Sequence, residues 1–123
     1  MAILSEERKN TKTGSWVKYK LLNDSANDEV TSDEVDISTA KSVTLFVETN
    51  GTVTGGVVQF QTAATTTGPY FAAGSVTTSA GSTGYAVTLS GGDDGFPAHY
   101  ARARIETSIA GGGSIDAYLI CDF

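Results

Sequence analysis

The side chains that could do chemistry in this chain are few and widely spaced. Among its 123 residues there is one histidine, His99, and one cysteine, Cys121. A Ser-His-Asp arrangement would need His99 as its base, yet no Gly-x-Ser-x-Gly motif presents a nucleophilic serine. Cys121 shares the apolar face of the last predicted strand, which favours a small buried side chain over a nucleophile. We therefore expect no catalytic residues, no cofactor and no enzymatic activity.

A calcium site is the metal site that the sequence could form. Asp93 and Asp94 precede His99 in a glycine-containing run and could present oxygen ligands to the ion. The same residues are typical of a solvated turn, because aspartate tolerates left-handed backbone. Since their spacing is loose, the turn is the favoured interpretation and we expect no metal site.

Four side chains are candidates for contacts with a partner. Arg102 and Arg104 share one face of a predicted strand, where a bidentate pair with a carboxylate is geometrically natural. That carboxylate could belong to the acidic stretch 24–36 or to a neighbouring subunit. Tyr70 and Phe96 each lie in a loop beside a proline and could be exposed anchors for a partner.

Aromatic rings beside carboxylates and amides could also form a platform for sugars. Most aromatic side chains of a small sandwich lie in its core, so this interpretation depends on the few that reach the surface. The rings considered are those of Trp16, Tyr19, Phe71, Tyr85, Phe96 and Tyr100.

The charge and composition limit the class of partner. The net charge of −6 argues against nucleic acid as a partner of the folded body, because phosphate binding draws on clustered Lys and Arg. No run approaches the roughly 18 apolar residues that a membrane span needs, so we expect no membrane partner. With one cysteine no intrachain disulfide can form, which indicates assembly in a reducing cytoplasm.

The N-terminal segment differs in charge from the rest of the chain. Its first twenty residues hold five Lys or Arg against two Glu, about +3, which leaves roughly −9 for the remainder. Alternation typical of a strand begins only at Trp16, so we predict an extended arm over residues 1–14 and a domain over 15–123. The only helical candidate, residues 4–10, is too short to stand alone. The arm residues expected to dock on a partner are Ile3, Leu4, Arg8, Lys9 and Lys12.

The remainder predicts about eight short strands. Alternation is clearest over 42–49, and Asn50-Gly51, which readily adopts a type I′ turn, predicts a hairpin between the third and fourth strands. Gly55-Gly56 predicts a bulge or a bend. The first strand begins at residue 16, and the others cover 29–37, 42–49, 57–61, 71–78, 84–90, 99–107 and 114–121. This spacing favours an all-β fold, a jelly-roll-like antiparallel β-sandwich, with immunoglobulin-like connectivity left open.

Five runs of sequence resemble the small β-sandwich virion proteins of tailed bacteriophages. They are residues 16–19 (WVKY), 32–37 (SDEVDI), 41–45 (KSVTL), 100–105 (YARARI) and 111–118 (GGGSIDAY). Among those proteins, the chain is most similar to capsid decoration, or cement, proteins. The resemblance implies an oligomer, often a trimer, that staples neighbouring subunits of the major capsid protein and uses its N-terminal arm to do so.

The function expected from the sequence is therefore structural. We predict a protein that is made in the host cytoplasm, binds the outside of a phage capsid in the virion and stabilises it. The alternative is a carbohydrate-binding adhesin module on the virion surface or tail, which would bind host glycans through an exposed aromatic side chain such as Phe96.

Overall fold

Nine β-strands make up the fold over residues 5–11, 14–78, 84–90 and 99–123, which are the residues that this computed structural model describes. The strands are β1 Ser5–Thr11, β2 Gly14–Ser25, β3 Val35–Asp36, β4 Ser42–Asn50, β5 Gly55–Ala63, β6 Phe71–Thr77, β7 Gly84–Ser90, β8 Tyr100–Ala110 and β9 Ser114–Asp122. All strand pairs among them are antiparallel. The predicted all-β antiparallel sandwich is confirmed.

The strands form two sheets whose order defines the connectivity. One sheet has the order β1-β2-β9-β4-β7 and the other β3-β8-β5-β6. From β2 onward the pairs are nested: β2 with β9, β3 with β8, β4 with β7 and β5 with β6. This nesting of eight strands into two four-stranded sheets is the jelly-roll arrangement, and β1 adds a fifth strand at the β2 edge.

The core lies between the two sheets, where the alternating apolar residues of each strand meet. Val43, Leu45 and Val47 of β4 are fully buried, as the alternation of this segment predicts. Phe60 of β5 is the largest side chain that is completely buried. The small and branched residues of β8 and β9 complete the same cluster: Ala101, Ala103, Ile105, Ile115, Ala117, Leu119 and Cys121.

The hairpin predicted at Asn50-Gly51 is wrong. Gly51 has the positive φ of 71° that its turn requires, but β4 pairs with β7 and β9 whereas β5 pairs with β6 and β8. The chain therefore crosses from one sheet to the other after Asn50. Because strand pairing is decided by which partner buries each apolar face, a local turn signal does not determine it.

The bulge predicted at Gly55-Gly56 is confirmed. The register between β5 and β8 shifts on both sides of Val57, and Gly56 has a φ of 131°. A Cβ atom at Gly56 would lie 2.6 Å from Cδ1 of Ile109, so the bulge needs glycine both for its backbone angle and for the close approach of β8.

The N-terminal segment is a strand and not a helix. Ser5–Thr11 pairs with β2 over seven positions, from Ser5 opposite Lys20 to Thr11 opposite Gly14. The described part of the helical candidate over residues 4–10, which the sequence analysis set aside as too short, is a strand, and the arm enters the five-stranded sheet. Its sequence, SEERKNT, contains no apolar residue, and an edge strand of that composition carries no alternation to detect.

The segment after β2 covers the edge of β8 without forming the continuous strand predicted over 29–37. Only Val35–Asp36 is regular, and residues 26–32 follow β8 through separate backbone hydrogen bonds, such as Glu29 N to Ile105 O at 2.8 Å. At Ser32 the backbone N–H donates to Ala103 O at 2.9 Å, while the Ser32 hydroxyl accepts from Ala103 N at 2.9 Å. A side chain thus takes the place of a backbone carbonyl at this position of the sheet edge.

Candidate functional site

Polar side chains of β5 and β8 line the face of the four-stranded sheet that points away from the core. Gln61 lies opposite Arg102 in the register and Gln59 lies opposite Arg104, while the intervening Phe60 is buried in the core. We call the surface formed by Gln59, Gln61, Tyr70, Arg102 and Arg104 the arginine face. It brings together three of the four side chains that the sequence analysis selected as partner contacts.

Arg102 is held in one orientation by two neighbours. Its Nε atom donates to Oε1 of Gln61 at 2.8 Å, and Nε2 of Gln61 donates to Oε1 of Gln59 at 2.8 Å. The guanidinium carbon lies 3.7 Å from the centroid of the Tyr70 ring, in the geometry of a cation–π contact. Gln61 is 7% exposed, so this hydrogen-bonded relay is fixed within the protein surface.

The loop that carries Tyr70 folds back over the arginine face. The hydroxyl of Tyr70 donates to Thr66 O at 3.0 Å, and within the same loop Gly68 N donates to Thr65 O at 3.1 Å. Burial raises the pKa of the Tyr70 hydroxyl, and the negative charge of Glu34 raises it further. The neutral phenol is therefore the form that caps Arg102 at physiological pH.

Arg104 lies two residues along β8 from Arg102 and belongs to the same face. Within the described residues the ion pair present is Lys20 with Asp116, at 3.9 Å, and neither arginine forms one. The intrachain partner considered for these arginines, the acidic stretch 24–36, thus forms no ion pair with them in the described structure. Phe96, the fourth partner candidate, lies outside the described residues.

Phe71 is the large hydrophobic side chain that the described surface leaves exposed, at 66%. Phe71 is the first residue of β6, directly after Tyr70, and lies opposite Thr62 of β5. On its other side Thr62 lies opposite Ala101 of β8, which is buried. Phe71 therefore belongs to the core-facing register at the end of the sheet, on the other side from the arginine face.

The predicted arm contacts fall partly within β1. Arg8 lies opposite Val17 and Lys9 opposite Trp16 in the pairing with β2. Ile3, Leu4 and Lys12 lie outside the described residues. β1 is the outermost strand of its sheet, so one of its edges bonds to β2 and the other edge has no strand partner in the described part of the chain.

A second cationic cluster lies on the outer face of the five-stranded sheet and was missed by the sequence analysis. The Nζ atoms of Lys18 and Lys20 lie 4.4 Å and 5.6 Å from the ring centroid of Tyr118. Lys18 and Lys20 are two residues apart and so share one side of β2, but only the pairing of β2 with β9 shows that Tyr118 lies beside them. These contacts tie the first long strand to the last.

Two further titratable groups of the described structure, Cys121 and Asp36, have structural roles. Cys121 is completely buried, and its burial raises the pKa of its thiol to about 12, so it is an unreactive core side chain as predicted. Asp36 accepts hydrogen bonds from the backbone N and the hydroxyl of Ser38, at 2.9 Å and 2.7 Å, and these hold the pKa of Asp36 below its usual value.

Two further expectations, the absence of a metal site and of a membrane span, concern residues that the structure describes only in part. No group of three or more His, Cys, Asp or Glu side chains suited to a metal ion is found among the described residues, and Asp93 and Asp94 lie outside them. Within those same residues, no helix has the length and apolar character needed to cross a membrane.

The fold is shared with proteins of phage origin. No protein-family model and no curated protein matches the sequence. The SPBc2 prophage-derived protein YomS is similar over 100% of this chain and 99% of its own, with 10% identity and a TM-score of 0.62. The PBSX exported protein XepA is 13% identical with a TM-score of 0.57, and the match covers 98% of this chain and 39% of XepA. The tailspike protein 4 of bacteriophage CBA120 is 13% identical with a TM-score of 0.53, over 100% of this chain and 18% of the tailspike chain.

These comparisons define a class of architecture. At such low identities the likeness shows a common fold, which here is a jelly-roll sandwich also found in phage-derived proteins. In YomS the match accounts for nearly the whole chain, whereas in the other two the same fold is one part of a longer protein.

Proposed function

We propose that this chain is a non-enzymatic structural protein of a tailed-phage virion, which binds the outside of the capsid as a decoration protein and stabilises the shell. The observation that carries the proposal is the end-to-end likeness of its fold to a prophage-derived protein. The buried cysteine and the structural roles of Asp36 and the lysine cluster agree with a protein that works by contact and not by catalysis.

The docking element of this proposal is the outer edge of β1, the edge that has no strand partner among the described residues. β1 has no apolar residue in its sequence and pairs with β2 along its whole length. Its other edge offers N–H and C=O groups with which an extended segment of the major capsid protein can pair. β1 has two cations, Arg8 and Lys9, beside two anions, Glu6 and Glu7, and the cations would pair with acidic groups of the capsid protein.

Stabilisation of the shell would follow from mass action. A ligand that binds only the assembled capsid shifts the equilibrium toward it, and each additional attachment point multiplies modest affinities. A trimer at a local threefold position would provide three β1 edges to three neighbouring subunits. We propose synthesis in the host cytoplasm and a final location on the capsid surface.

Co-sedimentation with undecorated capsids of the phage or prophage that encodes the chain tests this proposal. The full-length protein should bind saturably, and Lys9→Glu should weaken that binding several-fold at low salt. Lys41→Glu is the matched control, because it makes the same charge change at an exposed residue away from β1. A further variant lacking residues 1–4 tests Ile3 and Leu4 while retaining β1.

The outcomes are distinct. Loss of binding in Lys9→Glu with normal binding in Lys41→Glu supports docking through β1. Equal weakening in the two variants would show that only net charge matters and would contradict this docking mode. Absence of binding by folded full-length protein would contradict decoration altogether. Sedimentation velocity of each variant records whether the mass is that of a trimer.

A further inference from the structure

The geometry points to a second binding site: we propose that the arginine face binds a saccharide that carries a carboxylate group. This inference goes beyond the proposed function, because the face lies on the four-stranded sheet whereas β1 lies at the edge of the five-stranded sheet. The two sites can therefore be tested separately on one protein.

Arg102 is held in place by its neighbours and still has N–H donors for a ligand. Arginine has five N–H donors, and the Nε donor is used by Gln61. One face of the guanidinium plane lies against the Tyr70 ring. In the described structure this leaves the four N–H groups of the two Nη atoms for a ligand, in a group whose orientation is already fixed. A fixed planar fork of this kind matches a carboxylate with little further loss of side-chain entropy.

The groups around Arg102 add positive charge, an amide and an aromatic ring to the same face. Arg104 adds a second positive charge on the same face, and neither guanidinium has a carboxylate partner among the described residues. Gln59 contributes an amide, which can donate to and accept from hydroxyl groups, while the buried Gln61 holds Gln59 and Arg102 in place. Tyr70 is only partly buried, so its ring can also contact the apolar face of a sugar ring. Cation, amide and aromatic ring together match an acidic saccharide.

An acidic peptide is the competing ligand and fits less well. Peptides commonly bind β-proteins by adding a strand to an open sheet edge, where unpaired backbone groups are available. The arginine face lies on β5 and β8, which are the two inner strands of their sheet and are paired on both sides. It therefore offers side-chain groups and no free backbone edge, which favours a ligand rich in hydroxyl groups.

The test is isothermal titration calorimetry with a panel of oligosaccharides that contain uronic or sialic acid. Each is compared with its carboxyl-reduced counterpart, and a poly-glutamate peptide is added as the peptide probe. We expect saturable binding to at least one acidic oligosaccharide, at least tenfold weaker binding to its reduced counterpart, and weakening by added salt. Binding only of the poly-glutamate peptide, binding of acidic and reduced sugars with equal affinity, or no binding by any probe would overturn the proposal.

Three substitutions assign the site. Arg102→Lys keeps the charge but removes the planar fork, and it should weaken binding at least tenfold. Tyr70→Phe keeps the ring that caps Arg102 and removes only the hydroxyl that donates to Thr66, so binding should persist. Phe71→Ala is the matched aromatic control, because Phe71 is exposed but belongs to the opposite register.

Circular dichroism and thermal melts of each variant confirm that its fold is retained. An unchanged dissociation constant in Arg102→Lys, or a loss in Phe71→Ala as large as that in Arg102→Lys, would overturn the assignment. Capsid co-sedimentation of Arg102→Lys should equal that of the unmodified protein, which separates failure of this site from failure of docking through β1.

Discussion

Replacing Ser32 by alanine should destabilise the protein more than its small change in volume suggests. Ser32 is 5% exposed, and its hydroxyl accepts a hydrogen bond from the backbone N–H of Ala103 while donating to Asp33 O at 3.0 Å. Ala103 is itself completely buried on β8. In Ser32→Ala the N–H of Ala103 would lose its acceptor at a place that water does not readily reach.

The magnitude follows from the cost of an unsatisfied buried donor. Leaving one buried backbone N–H without a partner costs about 1–3 kcal/mol, whereas the loss of one oxygen atom leaves only a small void. For a domain of this size, each kcal/mol lowers the melting temperature by about 3–5 °C. We therefore expect Ser32→Ala to lower the free energy of unfolding by about 1–3 kcal/mol and the melting temperature by about 3–15 °C.

The chain offers a matched control at Ser108. Its hydroxyl also accepts a backbone hydrogen bond, from Asp28 N at 3.0 Å, but Ser108 is exposed and water can replace it. Urea denaturation of the unmodified protein, Ser32→Ala and Ser108→Ala gives the comparison, and Ser108→Ala should change stability by less than about 0.5 kcal/mol. Faster hydrogen exchange at Ala103 in Ser32→Ala would locate the effect. Equal stability of the two variants would refute this reasoning.

Three further predictions concern the core, a tight turn and the buried thiol. Phe60→Ala should lower the free energy of unfolding by about 3–5 kcal/mol in urea melts, since Phe60 is fully buried. Phe71→Ala, at an exposed residue, should lower the free energy of unfolding far less. Similar losses in the two variants would contradict the described core. Gly113→Ala should reduce thermal stability, because its Cβ would lie 2.4 Å from Asn50 O and 2.6 Å from Thr52 O; unchanged melting would show that this approach of two loops is not as close as described. Because burial raises the pKa of the Cys121 thiol to about 12, from 9.0 for an unburied thiol, the folded state retains a proton that the unfolded state loses. Stability should fall as pH rises above about 9, by up to about 1.4 kcal/mol per pH unit from this group. Urea melts from pH 7 to 10 should show a shallower decline in Cys121→Ala, and identical slopes would contradict the raised pKa.

The parts of the fold that the sequence predicted are those where one strand face meets the core and the other meets water. In β4 and β9 every second residue is buried, so the period of two is visible without any knowledge of the partner strands. In β8 the same period buries Ala103 and Ile105, while Arg102 and Arg104 alternate with them on the outer face.

The errors arise where long-range contacts decide the structure. β1 is polar throughout, so nothing in its composition distinguishes an edge strand from an arm. Asn50-Gly51 gives a correct turn but no information about which strands pair, because β4 finds its partners 35 or more residues further along the chain. At Ser32 a hydroxyl replaces a backbone acceptor, which breaks the predicted strand without leaving a trace in the pattern.

The candidate site was predicted only residue by residue. Arg102 and Arg104 were selected because they alternate on one strand, and Tyr70 because it follows a proline in a loop. The contact between Tyr70 and Arg102, and the support of Arg102 by Gln61, depend on the pairing of β5 with β8 and on the return of the loop after β5. Such contacts cannot be obtained from periodicity.

Cryo-electron microscopy of capsids saturated with the purified protein would test the central claim most directly. Reconstructions of undecorated and saturated capsids give a difference map into which the sandwich can be placed. We predict extra density on the outer surface at local threefold positions, with the outer edge of β1 against the major capsid protein. Density in which β1 points away from the shell, or a difference map without added density, would contradict it.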